Sequence, residues 1–156
     1  MLKLERAIQK DIVQIHTIQK GAFKKLYEKF QDKESPYNET EMILLEKFQR
    51  PNNYFYLIKQ QQDVIGFIRV VTNREETEAK FSPIAILPKF DGLGYGTKVI
   101  GLIENEFPKV KEWCIATIFQ EEKLLHFYKK LGYERVDELI RLQDNMDIVI
   151  LKKKML

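Results

Sequence analysis

Apolar and polar residues alternate along this chain with two different periods, which divide it into segments. The opening run LKLERAI has the two-residue period of a short strand. Helical spacing follows over residues 12–30, IVQIHTIQKGAFKKLYEKF, and Asp11 is placed to cap that helix. A second helical pattern covers TEMILLEKFQ, residues 40–49, before Pro51.

The two-residue period returns in the middle of the chain. The runs YFYLIKQ and DVIGFIRVVT read as strands on either side of a polar QQ turn, and EAKFSPIAIL is a third strand after NREET. Three strands joined by short turns predict an antiparallel meander over residues 54–87.

The second half of the chain alternates helices with strands. An apolar stripe from Val99 to Phe107 predicts a helix that Pro108 ends, and EWCIATIF is the next strand. Because a helical crossover reaches this strand, it should run parallel to the strand ending at Leu87. A helix over EEKLLHFYKKLG stops at Gly132, and two strands, ERVDELIRL and MDIVILKK, follow around QDN. The order predicts an α/β fold with a mixed sheet.

Composition narrows the class of protein. The 156 residues, 44% of them hydrophobic, predict one domain over residues 1–156. A net charge of +3, from 26 basic and 23 acidic residues mixed along the chain, argues against nucleic acid as a partner. No stretch without a charged residue exceeds eight residues, so no membrane span is expected. Cys114 is the single cysteine, which favours a reducing cytoplasm, and the two isolated histidines give no metal site.

Three of the seven glycines, Gly92, Gly94 and Gly96, stand between a predicted strand and a predicted helix. Such a loop lets several backbone N–H groups point at one phosphate at the positive end of a helix dipole, although a flexible surface loop would use the same residues. The order G-x-G-x-G followed by Thr97 is not the dinucleotide fingerprint, and Lys98 lacks the preceding glycine of a P-loop.

Pro83 lies inside an apolar strand, where it cannot donate a ladder hydrogen bond. Proline in a sheet implies an edge strand or a bulge. If this strand is central, as its hydrophobicity suggests, a bulge is favoured, and bulges expose backbone groups beside active sites.

Two motifs in this second half resemble those of a known family. IAILPKFDGLGYGTKVI resembles the acetyl-CoA-binding motif of the GNAT N-acetyltransferases, and LLHFYKKLGYE resembles that family's next motif. The resemblance implies a mostly antiparallel mixed sheet of about six or seven strands with a splayed parallel central pair and about four helices. It also implies acetyl-CoA or coenzyme A as the cofactor, with a bulge N–H polarising the thioester carbonyl.

The resemblance assigns the pyrophosphate to the N–H groups of residues 92–97 and the pantetheine arm to the gap between the parallel strands. Asp91 stands where the family usually has Gln or Arg, and Glu121 where an Asn often stands. The implied cofactor-binding residues are Ile84, Ala85, Ile86, Asp91, Gly92, Leu93, Gly94, Tyr95, Gly96, Thr97, Lys98, Glu121 and Phe127.

The family's second motif makes Tyr128 the candidate general acid for the departing thiolate. Its helical stripe with Leu124 and Leu131 is equally typical of a core residue. Glu78, which opens the third strand of the meander, is the candidate base. A water relay or attack by an already neutral amine are the alternatives.

The predicted function is acetyl transfer from acetyl-CoA to a primary amine of a small molecule or protein, in a ternary complex. The rivals are an acyl-CoA sensor without turnover and an interaction domain that binds no coenzyme A. A homodimer is left open, and no nucleic acid or membrane partner is expected. The residues proposed to meet the acceptor are Tyr37, Asn38, Glu39, Tyr54 and Arg69.

Overall fold

The computed structural model describes residues 1–156, in which an eight-stranded mixed sheet is packed between four α-helices. The strands are β1 (Leu2–Arg6), β2 (Asn53–Gln60), β3 (Asp63–Thr72), β4 (Glu78–Ile86), β5 (Glu112–Ile118), β6 (Glu134–Arg135), β7 (Ile140–Gln143) and β8 (Met146–Lys154). The helices are α1 (Ile12–Phe30), α2 (Glu41–Gln49), α3 (Tyr95–Glu106) and α4 (Glu122–Lys130). None of the helices combines the length and the apolar character that crossing a bilayer needs.

The sheet order is β1-β2-β3-β4-β5-β8-β6, with β7 also paired to β8. Strands β2 to β4 form the predicted antiparallel meander, and β1 extends it by pairing antiparallel to β2. Strands β4 and β5 run parallel, and β5 and β8 are antiparallel. A mostly antiparallel sheet with one parallel pair at its centre is therefore confirmed.

The strand predicted over residues 134–142 is wrong, because the structure divides it into β6 and β7. Arg135 pairs with Leu151, and Ile140 pairs with Ile148. The chain advances five residues between these two pairs (135 to 140), while β8 advances three (151 to 148). The segment between the two pairs is therefore two residues longer than the matching segment of β8, so it cannot pair continuously with that strand. Val136 and Ile140 are exposed.

Asp11 does not cap α1 with its side chain as expected. Its carboxylate accepts a hydrogen bond of 2.8 Å from the N–H of Ile8, because the chain makes a 3₁₀ turn over Gln9–Asp11 before the helix starts.

The two faces of the sheet bury separate apolar clusters. On one face, α3 and α4 cover a cluster that includes Ile68, Val70 and Trp113. On the other, α1 and α2 cover a cluster that includes Phe55 and Phe67. Successive side chains of β3 point to opposite faces, so Arg69 lies on the α1 and α2 side with Phe67.

Candidate functional site

The parallel strands β4 and β5 separate soon after they meet. They pair only from Glu78 to Lys80 against Glu112 to Cys114. Each then keeps its outer neighbour, since β4 pairs with β3 as far as Ile86 and β5 with β8 as far as Ile118. The predicted splay is confirmed, and the facing edges of the two strands have no strand partner beyond the pairs at Lys80 and Cys114.

A cleft of about 800 Å³ opens at this splay, lined by 30 residues of which 18 are hydrophobic. Its walls come from α1 and the turn after it, from the separated strands, from the glycine loop, and from α4 and the β7–β8 hairpin. The charged side chains among the lining residues are all carboxylates, belonging to Asp32, Glu34 and Asp91.

A bulge interrupts β4 at the mouth of the splay. Ile68 of β3 pairs with Ile84 and Val70 pairs with Phe81, so Ser82 and Pro83 together oppose the single residue Arg69. Since β4 is a central strand, the bulge expected from Pro83 is confirmed.

The buried guanidinium of Arg69 fastens this bulge from the α1 and α2 face. Its Nη1 donates a 2.9 Å hydrogen bond to the carbonyl of Ser82, and its Nε and Nη2 donate to Oδ1 of Asn53 at 3.0 and 2.6 Å. Burial lowers the pKa of Arg69 from its ordinary value. The arrangement fixes the carbonyl direction at the point where β4 leaves β5.

The loop of residues 91–97, called here the glycine loop, joins β4 to α3. Gly92 has φ +74° and Gly94, the residue before the first turn of α3, has φ +78°. Only glycine adopts this left-handed region at little cost. A Cβ at either position would meet no atom within 4 Å, so the glycines serve the backbone conformation. Burial raises the pKa of Asp91, and the charge of Lys25 partly offsets this.

The glycine loop presents a row of unpaired donors to the cleft. Asp91 N–H still bonds to Pro88, and the next bonded N–H is that of Lys98, which donates to Gly94 at 3.4 Å. The six N–H groups of residues 92–97 between them have no protein acceptor. Unpaired donors at the N-terminus of a helix are the geometry that binds phosphate groups, so the loop fits the diphosphate of coenzyme A.

The helix α4 supports the loop through an aromatic contact. A Cβ built on Gly96 would lie 3.0 Å from Cζ of Phe127, which shows how closely the Phe127 ring covers the first turn of α3. Both residues line the cleft. A side chain at position 96 would therefore require the Phe127 ring to shift by a few tenths of an ångström.

Tyr128 lines the cleft where the strands separate and is 4% exposed. Its ring packs against Phe81, with the centroids 6.1 Å apart, one residue before the bulge. Its hydroxyl has no hydrogen-bond partner in the protein. The fully buried side-chain polar atoms without a partner are Oε1 of Gln19 and Nε1 of Trp113, so the Tyr128 hydroxyl is accessible to solvent. Burial strongly raises the pKa of Tyr128, which keeps the phenol protonated.

A turn over residues 32–36, called here the post-helix turn, closes another part of the cleft. It follows α1, and its lining residues are Asp32, Glu34, Ser35 and Pro36. The carbonyl of Phe30, at the end of α1, accepts a 2.7 Å hydrogen bond from Nε2 of Gln143 on β7. The post-helix turn therefore follows the point where α1 is held to the β7–β8 hairpin.

Comparison with known proteins identifies the fold built around this cleft. The model of the acetyltransferase (GNAT) family matches residues 15–133. The chain belongs to the acetyltransferase (GNAT) family. The enzyme class and the acetyl-CoA cofactor expected from its motifs are thereby confirmed. No curated protein sequence matches this GNAT chain.

Solved structures share the fold at low sequence identity. The PaiA N-acetyltransferase of Thermoplasma acidophilum, in complex with coenzyme A, has a TM-score of 0.78 at 18% identity, covering 99% of each chain. The spermidine N-acetyltransferase of Vibrio cholerae, in complex with CoA and spermine, has a TM-score of 0.78 at 17% identity, covering 98% of this chain and 95% of that one. The protein smu.2055 of Streptococcus mutans UA159 has a TM-score of 0.76 at 19% identity, covering 97% and 98%.

Most of the residues assigned to the cofactor by the GNAT motif lie together in the cleft. These are Ile84, Ala85, Ile86, Asp91, Gly92, Gly94, Tyr95, Gly96, Thr97 and Phe127. Leu93 of the glycine loop and Lys98 of α3 are exposed and are not among the residues that line the cleft. Glu121 does not line the cleft, because its carboxylate pairs at 2.5 Å with Lys29 of α1.

Glu78, the candidate base, does not line the cleft of this GNAT chain. It opens β4 on the side where β4 and β5 are still paired, and it is exposed beside Glu112. The structure thus brings Tyr128 to the cleft but leaves Glu78 outside it.

The five residues suggested for the acceptor also lie outside the cleft. Tyr37 stacks on Tyr27 at 4.9 Å, and Tyr54 donates a 2.9 Å hydrogen bond to Glu76. Glu39 pairs with Lys47 and accepts a hydrogen bond from Gln19, Asn38 donates to the carbonyl of Asp32 at 3.4 Å, and Arg69 holds the bulge. The residues that do line this part, Asp32 and Glu34, were missed, because nothing in the polar run QDKESPYNE marks one carboxylate as buried.

Proposed function

We propose that this chain transfers the acetyl group of acetyl-CoA directly to a primary amine while both substrates are bound. The observation that carries the proposal is the row of six unpaired N–H groups of the glycine loop at a cleft between two separated strands. No other part of the cleft offers a comparable set of donors for a diphosphate.

The backbone holds the donor substrate. The N–H groups of residues 92–97 bind its diphosphate, and the unpaired edge of β4 at Ile84 and Ile86 pairs with the amide groups of the pantetheine arm. Acetyl-CoA supplies an acetyl thioester. An N–H beside the bulge at Pro83 stabilises the negative charge that develops on the acyl oxygen, and Arg69 positions that bulge.

Tyr128 acts as the general acid. A phenol keeps its proton at neutral pH, burial raises the pKa of Tyr128 further, and its hydroxyl has no competing protein partner. No histidine or lysine lines the cleft to take the amine's proton, so the acceptor attacks after an ammonium group has lost a proton to water. The C–N bond forms and the C–S bond breaks, Tyr128 protonates the departing thiolate, and the proton left on the new amide nitrogen passes to water, which restores the Tyr128 phenol. Closeness of the two substrates supplies much of the rate.

The acceptor is an amine-bearing small molecule or peptide. The Vibrio cholerae enzyme that shares this fold was crystallised with spermine, which makes polyamines the first acceptors to test. We also propose that residues 1–156 act as one domain and that the protein works in the cytoplasm, for which the single cysteine, Cys114, remains the supporting observation.

A thermal-shift titration with acetyl-CoA, coenzyme A and dephospho-CoA tests the binding step, because a ligand that binds only the folded state raises the melting temperature. We expect a saturable shift with all three ligands, since each carries the diphosphate. Product formation with a panel of primary amines, followed by mass spectrometry, then tests transfer.

Each outcome separates the rival functions. A saturable shift without acetylation of any amine would identify an acyl-CoA sensor. No shift at millimolar ligand would exclude both the transferase and the sensor and leave an interaction domain.

A further inference from the structure

The carboxylate of Asp32 is buried in the post-helix turn without a partner. The residue is 7% exposed, and its side chain makes neither a hydrogen bond nor an ion pair. The fully buried polar atoms that lack a partner are Oε1 of Gln19 and Nε1 of Trp113, so the Asp32 carboxylate oxygens still reach solvent. Asp32 lines the cleft, so its carboxylate oxygens contact solvent inside the cleft.

A buried charge without a partner is costly, and proteins usually pair it. The turn holds Asp32 in place through its backbone, because the Asp32 carbonyl accepts hydrogen bonds from Ser35 N–H at 3.1 Å and from Asn38 Nδ2 at 3.4 Å. No basic side chain lines the cleft to neutralise this carboxylate. Glu34 lines the cleft as a second carboxylate, whereas Lys33, which stands between the two in the post-helix turn, is exposed and does not line it. A positively charged ligand group would supply the missing partner.

We infer that Asp32 binds an ammonium group of the acceptor other than the amine that is acetylated. The inference rests on the proposed function, because it assigns the acceptor to this part of the cleft. The reacting amine has to be neutral, whereas a second alkylammonium, with a pKa near that of lysine, about 10.4, stays charged at neutral pH. The acceptor class is therefore alkyl amines with a second positive charge, and Asp32 is a specificity-determining residue.

Two acceptors of equal length test this inference without any mutation. 1,4-Diaminobutane and n-butylamine present the same primary amine, but only the first carries a second ammonium group. We expect the wild-type protein to favour the diamine by about 10- to 100-fold in kcat/KM, the range for a hydrogen bond to a buried charge. Equal kcat/KM values for the two amines would overturn the inference.

The variant Asp32→Asn should move the ratio of the two kcat/KM values towards 1, mainly through a higher KM for the diamine, while KM for acetyl-CoA stays the same. Glu28→Gln, which removes one exposed carboxylate from α1 outside the cleft, is the matched control and should keep the wild-type ratio. Because the Asp32 side chain has no protein partner, Asp32→Asn should melt at or above the wild-type temperature. An unchanged ratio in Asp32→Asn would contradict the inference.

Calorimetry of the two amines with the CoA-bound protein separates this inference from the proposed function. If no amine is acetylated but the diamine binds in an Asp32-dependent way, the proposed transferase fails and the cationic site stands. If amines are acetylated without regard to charge, the transferase stands and the cationic site fails. If neither amine is acetylated or bound, both fail.

Discussion

The glycine loop and the post-helix turn meet at one cleft but are built in different ways. The glycine loop offers six backbone N–H groups whose direction depends on local conformation at Gly92 and Gly94. The post-helix turn offers the side chains of Asp32 and Glu34, which reach the cleft through packing of α1 against the rest of the fold. A backbone site tolerates changes of neighbouring side chains, whereas a side-chain site changes specificity with one substitution. The comparison predicts that variants of the loop affect the donor substrate and variants of the turn affect the acceptor.

The largest effect is expected from Gly94→Val. A β-branched residue is strongly disfavoured at φ +78°, and no atom lies within 4 Å of the added Cβ, so the change acts on the backbone alone. Reorienting several N–H groups should weaken acetyl-CoA binding by about 100-fold, as measured by calorimetry. Gly101→Ala, in an exposed part of α3, is the control and should leave affinity unchanged while adding about 0.5–1 kcal/mol of stability. Wild-type affinity in Gly94→Val would show that the loop does not bind the diphosphate.

Tyr128→Phe should give the next largest effect. Loss of a general acid lowers kcat by about 100-fold. Because the Tyr128 hydroxyl has no protein partner, affinity for acetyl-CoA and melting temperature should hardly change. Tyr133→Phe is the matched control, since the Tyr133 hydroxyl donates a 3.0 Å hydrogen bond to Glu104, and its loss should lower stability without lowering kcat. A wild-type kcat in Tyr128→Phe would return Tyr128 to the role of a core residue.

Arg69→Lys probes the junction between the two parts of the cleft. Lysine keeps the charge but replaces the three separate guanidinium nitrogens that bond Asn53 and the Ser82 carbonyl with one ammonium nitrogen, so the bulge loses its fixed direction. We expect kcat to fall by about 10-fold with an unchanged KM for acetyl-CoA, measured well below the melting temperature. A purely structural role would lower the melting temperature and leave kcat alone, and that result would remove Arg69 from the proposed mechanism.

The same contrast explains which features the sequence could predict. The periods of apolar residues placed all four helices, the meander and the parallel pair, because periodicity depends on neighbours in the chain. The glycine loop could also be predicted from the sequence, because closely spaced glycines between a strand and a helix form a pattern of neighbouring residues. The break between β6 and β7 was not, because it depends on the register of both strands against β8.

Side chains that act over long distances in the chain were harder to predict. Asp32 is an ordinary member of a polar run, and it lies two residues after Phe30, whose carbonyl accepts a hydrogen bond from Gln143, more than 100 positions away in the sequence. Arg69 did carry a signal, because it is a single charged residue within the buried run FIRVV of β3. Such a residue needs buried partners, and Asn53 and Ser82 provide them.

The smallest expected effect concerns stability at high pH. Burial raises the pKa of Tyr128 above that of the unfolded chain, which is about 10. Below pH 10 both states hold the proton and the hydroxyl contributes no pH dependence. Above pH 10 the unfolded chain releases the proton while the folded protein keeps it, so the free energy of unfolding falls by about 1.4 kcal/mol per pH unit for this group.

In urea titrations above pH 10, the free energy of unfolding of Tyr128→Phe should therefore fall less steeply with pH than that of the wild type, by about 1.4 kcal/mol per pH unit. Between pH 7 and 9 the free energies of unfolding of the two proteins should depend on pH in the same way. Tyr133 and Cys114 also have raised pKa values from burial, so part of the alkaline slope should remain in the variant. Identical slopes in the two proteins would mean that the Tyr128 hydroxyl titrates as freely as in the unfolded chain. Tyr128 would then be as acidic as a free phenol, and its role as the general acid would be decided by the kcat of Tyr128→Phe alone.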